Sequence, residues 1–381
     1  MIDPESHEHL STEIANRIAE DREILEQLRS EIRPLKSAVR RIQARTTTSV
    51  SLVGTDGGNN RIQYDPFLVQ LIRVVDSSNN EYCLEAITPT TKVSSLSNQQ
   101  FDKNGEPLTA LGKMMDFLGV RHISDLSPMI RSNDDGELTS TSWVQVYREL
   151  VEWAVLFSVI REKEFAVDTL IVFDGLLRSK VFKEGLFQHY RKGIQEAIDS
   201  HRRKSRRKIY LVGFAKHSKV LTRYRLAMAL ENILTSEYPA YVDIPPDIEE
   251  KAYIWSEYAR NDDIALEQGG EINKFVGGKM FFIKFGNKSH DPIWPVDIFL
   301  PQAHEAQAII GYLLSDAING FPVPFYPRCL QKAHENAALV DFDFDVLQDQ
   351  IFNGIRNILG QEAVVLDMAR LQDPDPAQNR Y

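Results

Sequence analysis

Between residues 10 and 44 the apolar side chains Leu25, Leu28, Ile32, Leu35, Val39 and Ile42 recur at alternating spacings of three and four, with Ile14 and Ile18 ahead of them. That period predicts one face of a helix or a short coiled coil, which Pro34 should kink or break. The stripe either packs on its own domain, the simpler reading, or offers a partner-binding face. A β-branched run at 46–55, TTTSVSLVGT, predicts a strand, and Asp56-Gly57-Gly58-Asn59-Asn60 predicts a tight turn that stops it. Two more strands are expected at 67–75 and 81–87, separated by the turn formers of 76–80. Together the three make an antiparallel meander.

Residues 88–140 are polar and broken, with one short helix expected at 108–118, and read as an insertion or lid. From 142 to 163 the chain has helical length and apolar residues all round its centre, which predicts a buried helix. A short apolar strand follows at 168–173, ended by Asp174-Gly175. Then come a helix at 185–203, a strand at 208–214 and a helix at about 220–234. A meander followed by alternating helices and strands is the element order of an α/β ribonuclease H-like fold, a mixed sheet flanked by helices, here with an N-terminal helix and insertions.

Residues 235–290 match no recognisable pattern, and the loop through Gly269, Gly270, Gly277 and Gly278 reads as a second insertion. Strands at 279–285 and 293–300 contain or border prolines, which suggests an edge position. Helices are expected at 303–314, from the FPVPFYPRCL segment to about 338, and at 341–359, with a fraying tail. The expected organisation is an N-terminal helical segment at 1–45, a ribonuclease H-like domain at 46–345 with insertions at about 88–140 and 235–290, and a C-terminal helix and flexible tail at 346–381.

Composition changes the picture in two respects. The 381 residues hold 44 Lys and Arg against 54 Asp and Glu, a net charge of −10, which argues against coating nucleic acid by bulk charge but not against gripping it in a local groove. Two cysteines, Cys83 and Cys329, form neither a disulfide framework nor a zinc-ligand spacing, and no secretion signal or membrane-length apolar run is visible. The expectation is a soluble cytoplasmic protein.

Candidate chemistry lies with the acids. In the proposed fold the first and fourth strands are parallel neighbours, so Asp56 and Asp174 share one rim of the sheet. Each is followed by glycine, which lets backbone or phosphate approach closely. Either Asp-Gly alone is an ordinary turn signal; their joint placement suggests a site for hard divalent ions, Mg²⁺ or Mn²⁺, which in pairs clamp the attacking and leaving oxygens of a phosphodiester. The buried helix offers a third acid, Glu149 or Glu152. They are three residues apart and lie on nearly the same face, so periodicity does not separate them. Glu152, between Val151 and Trp153, is favoured, because a carboxylate among apolar neighbours needs a cation partner.

Lys216 should leave the fifth strand on the same rim, placed to bind a phosphate or offset transition-state charge. His217 and Lys219 are weaker candidates. The basic run 201–208 should lie at the opposite end of the sheet, as a solvated helix end or a partner contact.

The strand-Asp56-Gly, the helix with Glu152, strand-Asp174-Gly-Leu, Gly213-Phe-Ala-Lys216 and Phe325-Tyr326-Pro327-Arg328-Cys329-Leu330-Gln331-Lys332-Ala333-His334 together resemble the NurA nuclease family, over about residues 45–345. The resemblance implies a Mn²⁺- or Mg²⁺-dependent DNA nuclease, often a homodimer, that works with a hexameric HerA-type ATPase in DNA end processing or phage defence. It makes Asp56, Glu152 and Asp174 metal ligands, Lys216 a phosphate contact and His334 a late ligand or proton-transfer group. The first motif reads Asp-Gly-Gly where the family pattern is Asp-Gly-Ser, which removes a nearby hydroxyl. Two other readings keep the fold: a weakly active nuclease-like subunit that regulates an ATPase ring, and a resolvase- or transposase-type enzyme.

Overall fold

Strand β2 (Val50–Tyr64) is the axis of the sheet in the computed structural model. It pairs antiparallel with β3 (Phe67–Asp76), which pairs antiparallel with β4 (Glu81–Ile87). On its other side it runs parallel to β5 (Asp168–Asp174), which runs parallel to β6 (Ile209–Phe214). The order β4-β3-β2-β5-β6, with β3 alone reversed, is the ribonuclease H-like arrangement. The sheet continues beyond β6 through β9 (Ile293–Phe299), β8 (Gly278–Lys284), β7 (Ala240–Asp243) and β1 (Arg40–Arg41), each antiparallel to its neighbour. The structure describes residues 3–45, 50–64, 67–130, 142–183, 185–254, 275–338 and 341–363.

Alternation along β5 divides the core between the two faces. Ile171 and Phe173 face α6 (Ser142–Glu162) and α7 (Leu186–Lys204), where Trp153 packs on Phe173 with ring centroids 4.7 Å apart. Leu170 and Val172 face α10 (Ala306–Ala317) and α11 (Arg328–Ala337). A third cluster joins Met280 and Phe282 of β8 to α8 (Lys219–Leu230), α9 (Pro246–Ile254) and the end of α2 (Arg22–Ile32). Helix α2 is tied down by Arg29 and Arg33, which both donate to Glu231, whereas α1 (Pro4–Glu20) leaves Leu10, Ile14 and Ile18 exposed. The last helix, α12 (Asp341–Leu359), buries Phe352 and Ile355.

Four expectations are corrected. The Asp56–Asn60 stretch is not a turn: β2 runs through it, because β3 offers backbone partners from Asp76 to Phe67 along its whole length. The 88–140 stretch is not a lid over its described part: α3 (Val93–Gln99), α4 (Ala110–Leu118) and α5 (Ile123–Leu126) bury Val93, Met114, Met115 and Ile123 in the same core as α6. Residues 235–290, read as an insertion, supply β7, α9 and β8 to the body of the fold, although 255–274, with Gly269 and Gly270, lie outside the described residues. Finally, β9 is an interior strand in spite of Pro295. The carbonyl of Pro295 accepts from Ala215 just past the end of β6, so the missing N–H falls at the last rung of that pairing.

The β3–β4 turn is closed by Asp76, which is fully buried. Its carboxylate accepts from the backbone N–H groups of Ser78 and Asn80, the Asn80 amide, the Tyr82 hydroxyl and Lys163 Nζ at 2.8 to 3.3 Å. Burial pushes the carboxyl upward, but the bonds from Asn80, Tyr82 and Ser78 outweigh it and hold the group below its ordinary value. A depressed carboxyl contributes stability that is present above its unfolded pKa and is lost as pH falls through the folded one. Asp76→Asn is therefore expected to lower stability near neutral pH by about 2 kcal/mol. It should also flatten the acid limb of the stability profile, read by urea unfolding between about pH 3 and pH 7.

Candidate active site

Asp174 is the last residue of β5, a strand buried from Thr169 to Phe173. The chain then turns through Gly175 at φ 130°, and its N–H donates to the Phe214 carbonyl at 2.8 Å. Gly213 on β6 permits this turn: a Cβ there would lie 2.5 Å from the Gly175 oxygen and 2.6 Å from the Leu177 nitrogen. The two glycines of the sequence motifs thus let the loop after Asp174 lie directly on β6.

Asp174 belongs to the α10–α11 face, and three groups meet there. The Tyr326 hydroxyl donates to Oδ1 at 3.1 Å, Lys216 Nζ lies 3.8 Å from Oδ2, and the same ammonium sits 5.4 Å from the centre of the Tyr326 ring. Tyr326 is itself buried and packs edge-on against Phe214 and Trp294, each at 5.3 Å between ring centroids. Lys216 keeps about half of its side chain in solvent, so it can exchange Asp174 for an incoming anion.

Asp56 lies on β2, whose Thr55 pairs with Phe173 of β5. The next residues on the two parallel strands, Asp56 and Asp174, therefore occupy matching positions on adjacent backbones. The side chain of Asp56 lies outside the described residues; among the described ones no group of three or more His, Cys, Asp or Glu side chains converges on a common point.

Helix α6 covers the opposite face, so its acids can meet Asp174 only past the end of β5, where no sheet intervenes. The loop after Asp174 crosses that gap. Glu149 accepts from Ser179 Oγ at 2.7 Å and from Trp153 Nε1 at 3.3 Å. Burial pushes its carboxyl upward, opposed by those two hydrogen bonds and by Arg148. Glu152, one helical turn on, pairs with Arg148 Nε at 3.3 Å. Of the two glutamates left open by periodicity, Glu149 is held by the loop that carries Asp174.

His334 is exposed on α11, which packs against β2, β3 and β5. Two residues on, Asn336 Nδ2 donates to the Asp76 carbonyl at 3.2 Å, and Asp76 pairs with Thr55. The His334 end of α11 thus stands over the β2–β3 rungs near Asp56, while its Tyr326 end stands at Asp174. His217 and Lys219 instead line a surface groove of about 650 Å³ between α2, α8 and α9. The basic run lies at the far end of the sheet, where Lys208 N donates to Asp168 at the start of β5 and Lys208 Nζ pairs with Glu305.

Sequence reasoning missed the support of the 175–181 loop. Arg178 donates bidentately to Asp297 of β9, from Nε at 2.7 Å and Nη2 at 2.6 Å, and from Nη1 to Glu249 of α9 at 2.6 Å. Both acids are buried. The visible signal was Asp297 itself, a carboxylate inside the apolar run IWPVDIF. For Tyr326, the Tyr-Pro pair marks a helix start, and nothing local in the sequence ties its hydroxyl to Asp174, 152 residues away.

No protein-family model and no curated protein matches the chain. Solved structures do. The chain is similar to the NurA nuclease from Sulfolobus solfataricus, at 12% identity and a TM-score of 0.45, covering 94% of this chain and 99% of that one. It is also similar to a NurA bound to dAMP and manganese, at 11% identity and a TM-score of 0.39, covering 89% and 94%. The structural neighbours are NurA nucleases.

Proposed function

We propose that this chain is a divalent-metal-dependent DNA nuclease. The observation that carries the reading is the register of β2 on β5, which pairs Thr55 with Phe173 and so makes Asp56 and Asp174 the next residues on parallel neighbours, where backbones run about 4.8 Å apart. Carboxylates so placed repel unless positive charge stands between or beside them. Lys216 at 3.8 Å supplies some of that charge and marks the position as one that attracts cations. A donor set of carboxylate oxygens fits hard ions, Mg²⁺ or Mn²⁺.

Asp56, Asp174 and one glutamate of α6, Glu152 or Glu149, would hold two such ions, with His334 as a late ligand or proton-transfer group. The ions would neutralise the scissile phosphodiester and make water a competent nucleophile near neutral pH. On the protein side, Lys216 binds a substrate phosphate and offsets the charge that develops on it. The Tyr326 hydroxyl fixes the orientation of Asp174.

A net charge of −10 means that DNA must be held by local cations or delivered to the site. A homodimer working with a HerA-type hexameric ATPase meets that need, and the exposed Leu10, Ile14 and Ile18 of α1 offer a face for such assembly. Among the described residues no helix is long and apolar enough to cross a membrane. The test is cleavage of end-labelled single- and double-stranded DNA by the purified chain with Mn²⁺ or Mg²⁺, with and without the ATPase. Cleavage that EDTA abolishes is expected. Cleavage seen only with the ring would favour the regulatory-subunit reading, and none under any condition would sink the nuclease assignment.

A further inference from the structure

The segment that delivers Tyr326 to Asp174 has no regular structure of its own. Pro322, Pro324 and Pro327 remove three backbone donors between α10 and α11, and Phe325 takes a positive φ of 59°. A turn of this kind leaves backbone groups without ladder partners, and buried ones must be satisfied by side chains. One side chain does so here. Gln331, buried on the first turn of α11, accepts from Val323 N–H at 2.9 Å and donates to the carbonyls of Val323 at 3.1 Å and Tyr326 at 2.9 Å. All three functional positions of one amide are thus spent on the four residues that end in Tyr326. Gly320 is part of the same fit, since a Cβ there would lie 2.4 Å from the Tyr326 oxygen and 2.9 Å from Gln331 Nε2.

We propose that Gln331 is the positioning residue of the site: its amide fixes the backbone of 323–326 so that the Tyr326 hydroxyl meets Asp174. The inference rests on the nuclease reading for its kinetic consequence but not for its geometry. Phe214 and Trp294 clamp the Tyr326 ring from the sides, yet neither makes a hydrogen bond that sets how far the ring advances along its own axis toward Asp174. That distance is set by the backbone, which is held by its own turn bond from Tyr326 N–H to the Val323 carbonyl at 3.3 Å and by the three hydrogen bonds of the Gln331 amide. Arg328, Lys332 and Glu335 on the same helix are exposed and make no comparable contribution to the turn.

The experiment is a double-mutant cycle with a spectroscopic arm. Tyr326→Phe and Gln331→Leu are each expected to lower kcat for DNA cleavage about tenfold, the scale of one hydrogen bond to a charged group, with KM unchanged. The double variant should be no slower than Tyr326→Phe, because Gln331 acts through that hydroxyl. A merely structural Gln331 would instead give effects that multiply, and that outcome overturns the proposal. In the second arm 3-fluorotyrosine is placed at position 326 and read by ¹⁹F NMR. Asp174→Asn should shift the resonance, and Gln331→Met, an unbranched replacement of similar length, should broaden it or move it. An unmoved ¹⁹F signal in Gln331→Met overturns the positioning role. The ¹⁹F arm decides the question even if the protein cleaves no DNA, so failure of the function and failure of the brace are told apart.

Discussion

Asp174→Ala is expected to lower metal-dependent DNA cleavage by about three orders of magnitude in kcat while leaving the fold intact. The size follows from what one carboxylate does at such a site. A ligand that holds an ion against a phosphodiester stabilises transition-state charge by several kcal/mol, and each 1.36 kcal/mol is a factor of ten, so about 4 kcal/mol gives about 10³. The fold should tolerate the change because Asp174 ends its strand, and its β6-side backbone bond is carried by the Gly175 N–H rather than by the carboxylate. Its partners Lys216 and Tyr326 keep other contacts, solvent for the first and Phe214 and Trp294 for the second. Thermal unfolding should therefore move little. Steady-state cleavage of end-labelled DNA under saturating Mn²⁺, beside a melting curve of the same preparation, checks both halves. A variant within a factor of ten of the wild type would remove Asp174 from the chemistry.

How much of this was legible in the sequence depended on whether the deciding interaction was local. Strand β4 at Glu81–Ile87 was read to the residue, because its turn, Asp76 to Asn80, is built from side chains that bond their own backbone. The parallel neighbours carrying Asp56 and Asp174 followed from element order, and the sheet has them so. The Asp-Gly-Gly-Asn-Asn stretch was misread for the opposite reason. Its residues favour a turn, and only pairing with β3, a partner ten or more residues away, keeps it in a strand.

Residues 235–290 were opaque because β7 has four residues, too few for a period to be seen, and earns its place in the sheet by pairing with β8 and β1. Glu149 and Glu152 differ in their partners, and the partner of Glu149, Ser179, lies thirty residues away and is brought to it by the loop after β5. Of the candidate site, then, the strand end at Asp174 was visible in advance, whereas Asp56 lies within β2 and not at its end. The side chains that fix their geometry, Tyr326, Gln331 and Arg178, act across sequence distances that no local pattern spans.

Arg178→Met should destabilise the chain by about 4 kcal/mol near neutral pH, the usual cost of removing one partner from a buried ion pair and leaving the other charged. Here two acids are left. Asp297 is fully buried on β9, and Glu249 on α9 is nearly so. The pH dependence fixes the cause. Burial already raises the Glu249 carboxyl, Asp297 raises it further, and the charge and hydrogen bond of Arg178 are the main influences pulling it down. Without Arg178 its folded pKa must climb. A carboxyl whose folded pKa is raised favours folding below its unfolded pKa and loses that contribution as pH rises through the folded value. The deficit of Arg178→Met against wild type should therefore shrink as pH falls from about 7 toward 5, here because the variant regains stability on protonation of Glu249, whereas the Asp76→Asn deficit shrinks because the wild type loses stability on protonation of Asp76.

The triple variant Arg178→Met, Asp297→Asn, Glu249→Gln removes the stranded charges and should recover much of the lost stability at neutral pH, since a buried ion pair replaced as a unit is often nearly neutral. Urea unfolding of the wild type and both variants at several pH values reads this directly. A deficit independent of pH, or a triple variant no more stable than the single one, would mean that Arg178 acts by packing alone. Because Arg178 and Ser179 sit in the loop that joins Asp174 to Glu149, a confirmed ionic clamp would also explain how a site divided between two faces of the sheet is held in one geometry.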